Sequence, residues 1–231
     1  KSFFKKSEEV VIDLAIPVMH GTNGEDGSIQ GLLEMLKLPY AGCDVIAAGC
    51  GQDKSVMKHM LENSGLPLCP WIWIYGCDYD DNKAEIKAKV AELGYPVVLK
   101  PACLGSSVGI VIAHSEDELD AAVEEAGQYD EKIVIEQMVQ NLREINCSVL
   151  GDHFECRPSV LEEVTKGAEI LDFKDKYLGS GKTKGAKSQG MASASRIVPA
   201  PISEEMTQEI QSPQHVPQTI LAIRPFCCGF F

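Results

Sequence analysis

The stretch Val97-Val98-Leu99-Lys100-Pro101-Ala102-Cys103-Leu104-Gly105-Ser106-Ser107-Val108-Gly109-Ile110 constrains this chain most. An apolar strand ends in a lysine, a glycine- and serine-rich turn follows, and Ile110-Val111-Ile112 opens a second apolar run. Gly105 and Gly109 let a backbone approach a ligand closely, with hydroxyls between them. Strands on both sides argue against a Walker P-loop, whose glycine turn opens a helix. The pattern suits a hairpin closing over nucleotide phosphates with Lys100 supplying charge. It equally suits an ordinary glycine-rich hairpin with a surface lysine.

The net charge of −13 speaks against a nucleic-acid partner, which requires a basic face. A small anion needs its positive charges placed locally instead. Nine cysteines, an odd number without a CxxC pair, make neither a disulfide framework nor a zinc site and fit a reducing cytosol. With no signal peptide and no apolar run of membrane-spanning length, a soluble cytoplasmic protein is expected, without membrane partners.

Along the chain, Val10 to Pro17 reads as a buried strand running into His20-Gly21-Thr22-Asn23-Gly24-Glu25-Asp26-Gly27, a loop suited to a ligand beyond a strand end. Ile29, Leu32, Leu33 and Leu36 share one face of a helix over 28–36, whose N-terminus could receive an anionic group. Asp53 caps a second helix, with Val56, Met57, Met60 and Leu61 as its stripe and Gly65 as its stop. Lys54 sits in the first turn, where the dipole disfavours a cation unless an anion lies near. A strand over 67–75 precedes an amphipathic helix over 80–94 with Ile86, Val90 and Leu93 inward. Ser115 to Glu118 reads as a capping box, ahead of a helix burying Leu119, Ala122, Val123 and Ala126. Lys132 to Gln137 is a strand ending in an acid. Ile145 to Leu150 and Phe154 to Val160 flank Gly151-Asp152 as a hairpin, and Val164 to Leu171 extends the sheet. Residues 172–196 form a long loop with Lys176, Lys182, Lys184, Lys187 and Arg196, the length of a functional lid. Ser203 caps a helix carrying Met206 and Ile210. Residues 212–231 contain three prolines, paired cysteines and no acid, the mark of a misjoined end.

The strand-end lysine, the Gly/Ser hairpin, the strand-end acid and the basic loop together resemble the ATP-grasp superfamily. His20 to Glu34 is similar to the HGxxGEDGxxQGxLE signature of D-alanine–D-alanine ligases, and Lys100 to Gly109 to their phosphate-loop signature. Asp53-Lys54, Val134 to Gln137, Arg143-Glu144-Ile145, Lys176-Tyr177 and Val198-Pro199-Ala200 match in order. The resemblance implies an α/β chain of the ATP-grasp fold in incomplete form. Residues 1–46 would end an N-terminal α/β substrate-binding domain, and 47–138 would form the central α+β domain. Residues 139–211 would be part of a C-terminal antiparallel-sheet domain carrying the loop 172–196, with 212–231 an aberrant tail.

The implied reaction is ATP-dependent ligation of two D-alanines through an acyl phosphate, for peptidoglycan synthesis. By position, the resemblance gives ATP to Lys54, Lys100, Gly105, Ser106, Ser107, Val108, Gly109, Glu136, Gln137, Val139, Glu144 and Lys176. Gln137 and Val139 would act mainly through backbone groups, and Glu144 on the ribose. Ser106, Tyr177, Lys176 and His20 would be catalytic, and His20, Glu25, Ser106 and Tyr177 would touch substrate. Mg²⁺ or Mn²⁺ would be the metal, and a homodimer the full-length assembly. The metal ligands are expected after about residue 220 and a substrate-orienting glutamate before residue 1. Neither is in this chain, so a truncated chain inactive as given is expected. A D-alanine–D-serine ligase, another ATP-grasp carboxylate–amine ligase and a non-catalytic nucleotide-binding module are the alternatives.

Overall fold

The computed structural model describes residues 10–64, 66–105, 107–151, 155–165 and 195–212. Its centre is a four-stranded antiparallel sheet. β1 (Trp71–Tyr75), β2 (Val97–Pro101), β3 (Val111–Ala113) and β4 (Lys132–Gln137) lie in the order β1-β4-β2-β3. The register pairs Trp71 with Glu136 across β1–β4, Val98 with Glu136 across β2–β4, and Val97 with Ala113 across the β2–β3 hairpin. Side chains alternate along a strand, so this register sorts the sheet into two faces. On one face Ile74, Val97, Leu99, Ile133 and Ile135 pack against α4 (Lys83–Leu93) and α5 (Glu116–Gly127). Ile86 and Val90 of α4, and Leu119, Ala122, Val123 and Ala126 of α5, are buried there as their helical spacing predicts. The other face carries Trp71, Trp73, Tyr75, Lys132, Val134, Glu136, Val98 and Lys100, and becomes the site.

Three helices precede the sheet: α1 (Ser28–Met35), α2 (Val45–Gln52) and α3 (Lys54–Asn63). Asp44 caps α2 through its bond from the Ala47 N–H, and Asp53 caps α3 through bonds from the Ser55 and Val56 N–H groups. Beyond the sheet, β5 (Glu144–Asn146), β8 (Glu162–Thr165) and β9 (Ser195–Ile197) form one small antiparallel sheet. β6 (Val149–Gly151) and β7 (Cys156–Pro158) form a hairpin, and α6 (Glu204–Ile210) follows, capped by Ser203.

Several expectations are corrected. Residues 10–17 form no strand: Ala15 makes a single parallel bridge to Tyr40, and Val11 is 85% exposed. Among the described residues no strand pairs with this run along its length, and Ile12, Leu14 and Ile16 are exposed as well. In α1 Gln30 and Leu33 are buried, whereas Leu32 and Leu36 face outward. α2 is an additional helix. The buried face of α3 is Ser55 and Lys58 rather than Val56. The Ser115 hydroxyl takes no cap bond, and Glu118 accepts the His114 N–H at 2.8 Å instead. The stretch 145–150 divides between two sheets, with β5 paired to β8 and β6 to β7. Gly65, the segment 166–194 and the residues after 212 lie outside the described residues.

Candidate nucleotide-binding site

β2 and β4 carry Lys100 and Glu136 onto the same face, two residues apart in register, and Lys100 Nζ donates to Glu136 Oε1. Glu136 is only 9% exposed. Its second oxygen, Oε2, lies 2.7 Å from Lys58 Nζ of α3. Burial pushes this carboxyl upward in pKa, but the two lysines outweigh burial and hold it below the usual glutamate range. Lys58 lies 5.5 Å from the Trp71 ring centroid, and the Trp71 indole N–H donates to Glu62 of α3 at 2.6 Å.

Lys54 opens α3 beneath the β2–β3 turn. Its backbone N–H donates to Ala102 O at 3.0 Å. Its Nζ donates to Pro101 O at 3.2 Å, to Ala102 O at 3.3 Å and to Leu104 O. Burial, then the neighbouring Lys100 ammonium, lower its pKa below the usual lysine range. Two ammonium groups close together gain when an anion arrives between them. Behind them, Lys132 Nζ meets Asp53 Oδ2 at 2.6 Å, and Asp130 accepts the Cys103 N–H at 2.7 Å. The base of the turn is therefore held from α3 and from Asp130, just ahead of β4.

In the turn itself, the Val108 N–H donates to Gly105 O at 3.2 Å. Gly109 has φ +70°, and a Cβ built there would lie 2.7 Å from the Tyr129 ring and 2.8 Å from Pro101 Cγ. Only glycine meets both conditions. A Cβ on Gly105 meets nothing within 4 Å, so that side of the turn opens onto free space.

The other sequence-derived residues are placed as follows. The Gln137 N–H donates to Pro70 O at 3.0 Å, so the backbone donor assigned to a ligand is occupied within the sheet. Its side-chain amide donates to Leu93 O at 2.8 Å. Val139 is exposed just past β4, and Glu144 is half-buried at the start of β5. His20 is exposed, with Nδ1 3.9 Å from Glu25 Oε1, and Glu25 Oε2 accepts the Gly21 N–H at 2.6 Å. This pair belongs to the loop before α1. There Gly27, at φ +93°, has Val45 O only 2.7 Å from where a Cβ would stand. Ser106, Lys176 and Tyr177 lie outside the described residues. Lys58 is the residue that sequence reading missed. Its signal was the step of four from Lys54, which puts both lysines on one side of α3.

The D-ala D-ala ligase C-terminus model matches residues 60–221, and the D-ala D-ala ligase N-terminus model matches residues 1–43. The chain belongs to the D-alanine–D-alanine ligase family. It is 40% identical over 200 residues to the D-alanine--D-alanine ligase of Thermoanaerobacter sp. (strain X514), covering 87% of this chain and 52% of that one. It is 46% identical over 166 residues to that of Staphylococcus haemolyticus, covering 71% and 46%. Among solved structures, the VanG D-Ala:D-Ser ligase from Enterococcus faecalis superposes with TM-score 0.74 at 27% identity, over 93% of this chain and 57% of that one. The D-alanine--D-alanine ligase from Bacillus anthracis gives 0.69 at 28%, over 91% and 61%. The chain thus spans about half the length of the curated relatives it matches. The fold class is that of these ligases, an α/β partial ATP-grasp architecture of helices on antiparallel sheets. Among the described residues no helix is long and apolar enough to cross a membrane.

Proposed function

We propose that this chain carries the nucleotide-binding half of an ATP-dependent D-alanine–D-alanine ligase acting in the cytoplasm on peptidoglycan precursors. The observation that carries the reading is the convergence of Lys54, Lys58, Lys100 and Glu136 beneath a turn whose Gly109 tolerates no side chain. The chemistry accounts for these residue types. A carboxylate oxygen of one D-alanine attacks the γ-phosphorus of ATP, and ADP leaves. The amine of the second D-alanine attacks the resulting acyl phosphate at carbon, losing a proton as inorganic phosphate departs. No covalent bond to the protein is needed, so positioning and neutralisation of phosphate charge do the work.

Lys100 and Lys54 would lie against the phosphates, with the turn 105–109, Ser106 included, closing above them. Glu136 and the segment Gln137 to Val139 would border the base, and Glu144 the ribose. Lys176 and Tyr177 would complete the closure, while Glu25 would orient His20 beside the first D-alanine. Among the described residues no group of three or more His, Cys, Asp or Glu side chains could hold a metal ion.

Titration calorimetry of the 231-residue chain with ATP tests the reading. Binding is expected, and Lys100→Met should weaken it about tenfold to a hundredfold, the worth of one charge-assisted bond. Wild type that leaves ATP unbound would overturn the proposal. Phosphate release by the full-length ligase, with D-alanine and then D-serine as the second substrate, separates the two amine acceptors.

A further inference from the structure

Lys58 joins the candidate site through Glu136 and has no assigned contact with the nucleotide. It is 9% exposed, and lysines seldom go under without a partner. Its partner is the carboxylate that also holds Lys100, so Glu136 is divided between two ammonium groups, one at each oxygen. Glu136 is faced by Lys58 from α3, by Lys100 from β2 and by Trp71 across β1. The charged and titratable neighbours of those three are Lys54 beside Lys100, and His59 and Glu62 against Trp71. α4 and α5 cover the opposite face, where Ile133 and Ile135 point.

The charge balance carries the argument. For Lys100 to meet a phosphate it must turn its ammonium away from Glu136. A carboxylate this deeply buried cannot then stand alone: it keeps another cation or takes up a proton. We propose that Lys58 is a positioning residue that keeps Glu136 charged and in place, so that Lys100 is free to pass from Glu136 to the nucleotide phosphates. This rests on the nucleotide-site reading above. A lysine that merely braced α3 would affect stability and leave the proton stoichiometry of ATP binding untouched.

The test is calorimetric titration of the whole chain with ATP, in buffers of differing ionisation enthalpy, at about pH 6.5 and about pH 8. Wild type should take up no more protons than the titration of ATP itself accounts for. Lys58→Met should take up as much as about one further proton per ATP, and its affinity should fall up to about tenfold more per pH unit than that of wild type. Lys58→Arg should behave as wild type, and adding Glu136→Gln to Lys58→Met should abolish the extra uptake. Lys58→Met with wild-type stoichiometry, or extra uptake that survives Glu136→Gln, overturns the inference. Wild type that binds no ATP removes the nucleotide-site reading instead, a separate outcome. Should Lys58→Met fail to fold, the ¹³C shift of the Glu136 carboxyl in wild type decides. It should remain that of a carboxylate when ATP binds at neutral pH, and protonation on binding refutes the proposal.

Discussion

Asp53 serves two structures at once. One oxygen caps α3, accepting the Ser55 N–H at 2.9 Å, and the other holds Lys132 of β4 at 2.6 Å. The helix that carries Lys54 and Lys58 is thereby fixed to the strand that carries Glu136. Burial alone would push the Asp53 carboxyl upward, but Lys132, then Ser55 and the Val56 N–H, draw its pKa below the usual aspartate value. The direction sets the sign. A carboxyl depressed in the folded state contributes stability above its unfolded pKa, and that contribution is lost as pH falls through the folded value. Asp53→Asn should therefore cost about 1 kcal/mol at pH 7, since asparagine keeps most of the cap and loses the ion pair. The gap from wild type should close in acid, once Asp53 is itself protonated. Urea unfolding of both proteins at neutral pH and near pH 3 measures this, and a gap of equal size at both would refute it.

Elements were legible in the sequence where one local pattern and one burial environment coincide. In α5 the spacing of Leu119, Ala122, Val123 and Ala126 specifies a stripe, and the sheet buries all four. Leu119→Ala should cost about 2–4 kcal/mol in urea unfolding, whereas Met35→Ala on the outward side of α1 should stay within about 0.5 kcal/mol. Similar losses at both positions would mean that the core is not where it is drawn. The hairpin β2–β3 and the acid ending β4 were legible for the same reason, and they supply Lys100 and Glu136. What escaped depends on partners distant in sequence. α2 is built on Ala47-Ala48-Gly49, which shows no apolar stripe, and its Asp44 cap is plain only in the structure. α3 turns a lysine inward because a buried glutamate waits there, and apolar periodicity cannot register such a face. The Gln137 N–H looked available for a ligand until Pro70 lay opposite it. Between Ile145 and Val149 the alternation continues unbroken while the pairing changes sheets, since alternation encodes a face and not a neighbour.

Across the molecule, the acidic whole and the basic site follow different rules. A net charge of −13 gives no general attraction for an anion, so Lys54, Lys100 and Lys58 would act on one only through close geometry inside a rigid frame. That frame is uneven. β4 is hydrogen-bonded on both sides, to β1 and to β2, and Ile133, Val134 and Ile135 are fully buried. Residues 10–19 are anchored chiefly at Ala15, whose N–H donates to Pro39 O at 2.9 Å and whose carbonyl accepts from Ala41 at 3.0 Å. Local opening costs little where few apolar contacts and few backbone bonds must break. Hydrogen exchange read by mass spectrometry should therefore find the amides of 133–135 slowest, near the limit set by global unfolding. Peptides within 10–19 should exchange close to the unprotected rate apart from Ala15. ATP should slow exchange in 97–109 and leave 10–14 unchanged, because the lysines that would meet the phosphates are tied to β2 and the turn, not to that segment. Protection at 10–14 equal to that of β4 would show that the apolar stretch is covered in solution, and would move the weak end of the frame elsewhere.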